Sequence, residues 1–144
     1  MHNPLDETTR AWGMACHFSA LGGFFIPFGS VLIPLIIWLT QKDKHLFIDE
    51  QGKESVNFQL SLIIYIFSFG LILNFLLVLI FILLALLSKD YSPSFLDLII
   101  PWQILPVFIA IVVIIFQLIM TIIGGLRAYN GQSYRYPFNL RLLK

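Results

Sequence analysis

Charge is what this chain has least of. Only 12% of its residues are Asp, Glu, Lys or Arg and 58% are apolar, whereas soluble domains carry roughly a quarter charged residues. That balance excludes an ordinary soluble domain and points to an integral membrane protein. The net charge of +1 lacks the basic excess of a nucleic-acid binder, so no nucleic-acid partner is expected. A single cysteine, Cys16, excludes an intramolecular disulfide. No small-x-small cleavage site follows a short basic-then-apolar leader, so the first apolar segment is expected to stay in the mature protein.

Catalytic signatures are missing too. "QGKES" sets Gly52 before Lys53, but a phosphate-binding loop needs a glycine five residues earlier and Ser or Thr next, where Phe47 and Glu54 stand. There is no His-Glu-x-x-His, Gly-x-Ser-x-Gly or Cys-x-x-Cys, and no pair of intramembrane aspartates. Met14, Cys16 and His17 are soft donors, yet their helical spacing does not converge on one ion. Catalytic residues, metal ligands and cofactors are therefore all expected to be none. Glu54, and His45 with Asp49, are the acid–base candidates nearest the membrane surface, and a solvated charged loop accounts for them.

What is present is long apolar sequence. Ala11–Gln41, Ser55–Ser88 and Leu98–Leu126 contain no Asp, Glu, Lys or Arg, and each exceeds the ~20 residues that cross a hydrocarbon core. The expected fold is an all-α polytopic helical bundle, one membrane domain over 1–144. It has a broken span or helical hairpin at 8–40, a connector at 41–54, a span at 55–88, a connector at 89–100, a span at 102–129 and a tail at 130–144. The first window carries Gly22, Gly23, Pro27, Gly29, Ser30 and Pro34 in its middle. Helices are expected at about Thr8–Leu21 and from Ser30 or Pro34 to Thr40, forming either one broken span or a re-entrant hairpin. The second window is long enough to overshoot a bilayer, so it must tilt, protrude or break near Gly70 or Asn74. Pro101 and Pro106 place the start of the last helix near Trp102, and Asn130-Gly131 marks its end.

Lysines and arginines orient the chain. Lys42, Lys44 and Lys53 lie in or beside the first connector and Arg127, Arg135, Arg141 and Lys144 at or after the last span, while "SKDYSPSFLD" holds only Lys89. The positive-inside rule then puts the first connector and the C-terminus in the cytoplasm.

Polar residues form two helical stripes: Asn57, Ser61, Tyr65 and Ser68 on one helix, Gln117, Thr121, Gly124 and Ala128 on the other. They form either a packing seam of amides, hydroxyls and small residues or a polar pocket open to the cytoplasm. His17 shares a face with Gly13 and Ala20 and is either a neutral buried histidine or a functional intramembrane group. In the tail, "YRYPFNLRLLK" alternates Tyr134, Tyr136, Phe138, Leu140 and Leu142 with polar residues. It either lays an apolar edge on the membrane or covers the charged connector with aromatics.

"RAWGMACHFSALGGFFIP", "PLIIWLTQKDKHLFIDEQGKESVNFQLSLIIY" and "GGLRAYNGQSYRYPFNLRLLK" together resemble a small bacterial and archaeal membrane-protein family of unknown function. That family is grouped with the small channel-type subunit of the chloroplast inner-envelope protein-import translocon. The resemblance runs from about Thr8 to Lys144 and is carried by Trp12, His17, Gly52, Glu54, Asn57, Phe58, Gln59, Asn130, Gly131, Tyr136 and Pro137. Gln51 stands where the family often has His. The resemblance implies a compact helical bundle in the plasma membrane.

The candidate functional or packing residues are thus His17, Glu54, Asn57, Gln59, Ser61, Tyr65, Gln117, Thr121 and Tyr136. The expected function is that of a non-enzymatic membrane subunit or scaffold assisting protein transport or insertion. The alternative is a small oligomeric channel or carrier for ions or small solutes. Expected partners are membrane lipid and either a membrane protein or further copies of the chain.

Overall fold

The computed structural model describes residues 5–87 and 95–144, with the side chains of the last helix described from Ile104 onward. The expected turn at Ser92-Pro93 lies outside the described residues. All regular structure among the described residues is helical. In order these are α1 (Glu7–Phe18), α2 (Gly29–Gln41), α3 (Leu46–Leu87) and α4 (Phe95–Tyr129), with 3-10 turns at Ser19–Phe24 and Lys42–Lys44.

α1 and α2 have 12 and 13 residues. At 1.5 Å per residue each rises about 20 Å, too little to cross a core of about 30 Å. The chain turns back between them at "GGFFIPFGS", where α2 packs against the 3-10 turn that follows α1. The Gly22 carbonyl accepts from the Phe25 and Ile26 N–H groups, and the Phe28 carbonyl accepts from Val31 and Leu32. Phe28 itself sits in the left-handed region at φ 60°. The two arms meet at Gly29, where a Cβ would lie 2.6 Å from the Gly22 carbonyl oxygen. The apolar side chains of the tip face outward, Phe25 being 86% and Phe28 75% exposed.

α3 starts well before the apolar window, at Leu46, because His45 caps it. The His45 carbonyl takes the Ile48 and Asp49 N–H groups, and its Nδ1 accepts from the Phe47 N–H at 3.0 Å. The charged stretch is therefore the first turns of the helix, and α3 continues to Leu87 with no break at Gly70 or Asn74. Nothing lies within 4 Å of a Cβ at Gly70, so this glycine neither kinks the helix nor admits a neighbour. α4 likewise begins earlier than Trp102 and carries Pro101 and Pro106 within it. Each proline removes only one backbone donor, a loss that apolar membrane helices tolerate better than soluble ones. Its end follows the expected glycine stop. The Gly131 N–H donates to the Ala128 carbonyl, the Gln132 N–H to that of Arg127, and Gly131 has φ 73°, the bonding of a Schellman cap.

The chain divides into two compact units, Met1–Ile63 with Phe116–Lys144, and Ile64–Ile115. In the second, the described stretches 64–87 and 104–115 have as polar residues only Tyr65, Ser68 and Asn74, and most of their large apolar side chains are exposed. α3 and the described part of α4 are both long and apolar enough to cross a membrane. The first unit has a mixed core. It buries Thr9, His17, Gln51, Glu54, Ser55, Asn57, Gln59, Ser61 and Thr121 together with Trp38, Phe47, Ile48, Val56, Phe58 and Tyr136, while apolar side chains such as Phe25, Phe28 and Ile36 are exposed. Lipid, not water, is the solvent that makes such an arrangement stable.

Glycine sets the closeness of this packing. A Cβ at Gly52 of α3 would run into the Trp38 ring of α2, and one at Gly13 of α1 would lie 2.6 Å from Phe47. Gly52→Ala is therefore expected to destabilise the protein by about 1–3 kcal/mol through overpacking. Gly70→Ala should instead stabilise by about 0.5–1 kcal/mol through helix propensity. Thermal unfolding of the two variants in detergent measures the contrast.

Candidate functional site

The first unit encloses a polar cluster assembled from α1, α3, α4 and the tail after Gly131. At its centre is His17, which is fully buried. Its Nε2 lies 3.1 Å from Gln51 Oε1, and its Nδ1 lies 2.8 Å from the Tyr136 hydroxyl. Gln51 Oε1 also accepts the Tyr134 backbone N–H at 3.1 Å, which requires an oxygen at that position. Because that oxygen can only accept, Nε2 of His17 carries the proton and Nδ1 is left as the acceptor of the Tyr136 O–H. The neighbours thus impose one tautomer.

Burial reinforces it. It lowers the His17 pKa to about 4, with the Gln51 bond opposing the shift, and pushes the Tyr136 phenol up, so both groups stay neutral. Burial also pushes the Cys16 thiol up to about 12, far from a reactive thiolate. Tyr136 stacks on Phe58 with ring centroids 4.0 Å apart and planes 5° from parallel, while Tyr134 meets it edge-on at 5.0 Å. The backbone of α4 comes close beneath them. A Cβ at Gly124 would lie 2.9 Å from the Tyr136 hydroxyl and 3.2 Å from His17 Nδ1. The Thr121 hydroxyl is fully buried, acts on the Tyr136 phenol and otherwise has no well-aligned partner among the described residues.

The tail has no helical ladder, so its backbone must find other partners. α3 supplies them from one face. Gln51 takes the Tyr134 N–H, Glu54 Oε1 takes the Tyr136 N–H at 2.7 Å, and Ser61 Oγ takes the Leu140 N–H at 2.9 Å. Asn57 makes a reciprocal pair, accepting the Leu143 N–H at 2.8 Å and donating to the Leu143 carbonyl at 3.0 Å. Asn139 donates to the Glu54 carbonyl, and the Ser61 hydroxyl points toward the Asn57 carbonyl and Asn139 Oδ1. Four side chains at helical steps of three, three and four thus hold an irregular strand against a helix.

This changes the reading of both stripes. Asn57 and Ser61 engage the tail rather than Gln117 and Thr121. Gln117 donates instead to Gln59 Oε1 at 3.0 Å, and Thr121 faces Tyr136. Tyr65 is 40% exposed and lies in the other unit, so the stripe does not continue as one buried line. The tail's alternation also breaks. Phe138 adopts φ 58°, which turns Phe138, Leu140 and Leu142 outward while Tyr134 and Tyr136 go inward. Gln51 and Tyr134 were absent from the candidate set. Gln51 was legible as the stripe extended two steps back, through Glu54, into the charged stretch.

His45 caps α3 and is exposed, apart from this cluster. Among the described residues, no three His, Cys, Asp or Glu side chains group as metal ligands.

Residues 8–143 match the model of the MamF/MmsF family, described as the magnetosome magnetite crystal formation protein family. The chain belongs to that family. Neither the curated proteins nor the solved structures gave a match, and the comparisons offer no support for a grouping with the plastid import subunit. This MamF/MmsF member is a small helical membrane protein, and nothing in the match identifies a catalytic activity.

Two outcomes follow from the His17 cluster. Unfolded His17 takes a proton near pH 6.5, whereas the folded residue resists until about pH 4. Its contribution to stability is complete above pH 6.5 and is lost as the pH falls to about 4, by roughly 3 kcal/mol in total. Denaturation midpoints should therefore drop over that window, and more shallowly in His17→Asn. Tyr136→Phe leaves Nδ1 without its donor and should cost about 1–3 kcal/mol at pH 7, measured by the same unfolding experiment.

Proposed function

We propose that this MamF/MmsF protein acts as a non-enzymatic membrane scaffold, a subunit whose charged connector and tail dock other components of a membrane assembly. The observation that carries this reading is how the intramembrane polar side chains are used. Asn57 and Ser61 hold the tail, Gln59 holds Gln117, and Gln51 holds His17. These groups act as structural fasteners and are not left facing a conduit. The family description ties its members to magnetite crystal formation in magnetosomes. For this chain, that suggests a part in organising the membrane around a growing mineral. Assistance in protein transport or insertion is a narrower version of the same scaffold role.

Orientation follows the basic residues. Arg10, Lys42, Lys44, Lys53, Arg127, Arg135, Arg141 and Lys144 all belong to the first unit, which supports placing that unit in the cytoplasmic half of the membrane, with its connector and both chain ends on the cytoplasmic side. Lys44 stands over the Trp12 ring at 5.8 Å, fixing a cation beside an exposed connector.

Lysine-directed cross-linking in native membranes is expected to join Lys44 or Lys53 to a discrete protein partner. Recovery of lipid and self-adducts alone would overturn the scaffold reading. Purified protein in liposomes should pass neither potassium ions nor small solutes. Flux that disappears in Gln117→Leu would transfer the assignment to the channel class.

A further inference from the structure

A second feature of the first unit lies away from the His17 cluster. Trp38 and Lys42 at the end of α2, Asp43, then Leu46, Asp49 and Lys53 on the first turns of α3, and Lys144 of the tail line an open cleft of about 530 Å³. That volume falls within the ~300–1,000 Å³ typical of small-molecule sites. Three separate stretches of chain bring their ammonium groups to it.

The internal pairing of the cleft is partial. Asp49 accepts from Trp38 Nε1–H at 2.8 Å through one oxygen and from Lys53 Nζ at 2.7 Å through the other. Lys42 stands over the Trp38 ring at 5.6 Å, so the indole holds its ammonium at the rim. Asp43 is exposed and has no ion pair among the described residues. Lys42 and Lys144 have no ion pair among the described residues, so two ammonium groups of the cleft have no carboxylate in contact. Leu46, which lines the cleft, is 69% exposed and puts an apolar side chain beside them.

We propose that this cleft binds the phosphodiester of an anionic membrane lipid, with Lys42 and Lys144 contacting the phosphate oxygens and Leu46 lying along the acyl chains. Two ammonium groups without a carboxylate in contact complement the phosphate oxygens, and an exposed leucine beside them suits a lipid rather than a soluble ion. Lys53 is the positioning residue, because it and Trp38 hold Asp49 away from the incoming phosphate. Lysines at the first turns of an apolar helix long enough to cross a membrane are also the arrangement expected beside a leaflet rich in anionic lipid.

The test is thermal unfolding of the full chain in neutral detergent. Phosphatidylglycerol, phosphatidylcholine and inorganic phosphate are titrated in separate arms. Saturating phosphatidylglycerol should raise the unfolding temperature by about 5 °C, and phosphatidylcholine should not. The rise should vanish when Lys42→Gln and Lys144→Gln are combined and persist when both become Arg. Asp43→Asn, at an exposed position where folding is not at stake, should lower the lipid concentration needed for half the effect. An equal, lysine-dependent rise with inorganic phosphate would assign the same chemistry to a free anion and overturn the lipid source. No rise with either anion, or a rise unchanged in the double glutamine variant, would overturn the site itself.

Discussion

An irregular backbone laid along a membrane helix must have its N–H groups met, and the first unit is organised around that requirement. Between Tyr134 and Leu143 the tail has no helix and no strand partner. Side chains of α3 act as the missing ladder: Gln51, Glu54, Asn57 and Ser61 each accept a tail N–H. Once the tail is held there, Tyr136 can reach His17, and α4 must present Gly124 because no larger residue leaves room. His17 is then locked in a single tautomer by Gln51 on one side and Tyr136 on the other. Losing one acceptor would unpair several groups at once, since the members share partners.

The same arrangement bears on what the protein can do. Polar residues within apolar helices invite reading as a pathway, because unpaired amides and hydroxyls in hydrocarbon are costly. Here most of them are paired internally, and the cluster around His17 holds no ionised group in contact with the imidazole. The unspent charge sits at the periphery, on Lys42, Lys44 and Lys144 with the arginines of the tail. The proposed scaffold role and the proposed lipid cleft both place the function of this MamF/MmsF member at that rim.

Much of the helical layout was legible along the chain. The glycines and prolines of "GGFFIPFGS" marked a break in the first window, Asn130-Gly131 marked the end of α4, and the long uncharged windows marked the apolar helices. The length of the second window left tilt, protrusion or a break near Gly70 or Asn74 open, and α3 runs through both positions, since an apolar helix in lipid has every reason to keep its internal hydrogen bonds. One local signal misled. Pro101 and Pro106 read as a start signal for α4, although one lost donor each does not stop a helix in lipid, where the other backbone groups have no alternative partner. The start of α3 was hidden because the cap is a histidine, not one of the usual short polar residues.

Hydropathy, helical periodicity and chain-breaking residues act within a few positions of themselves. The sequence alone therefore determined that this is a helical membrane protein, where its long helices lie, and that polar stripes run along two of them. Partner choice is not local. Whether Asn57 met Gln117 or the tail depended on the left-handed turn at Phe138, on the close approach at Gly124, and on a tail whose backbone needed acceptors more than Gln117 did. The stripe's periodicity is the same in either case, so only the tertiary structure could decide that Gln51, Glu54, Asn57 and Ser61 fasten a strand to a helix.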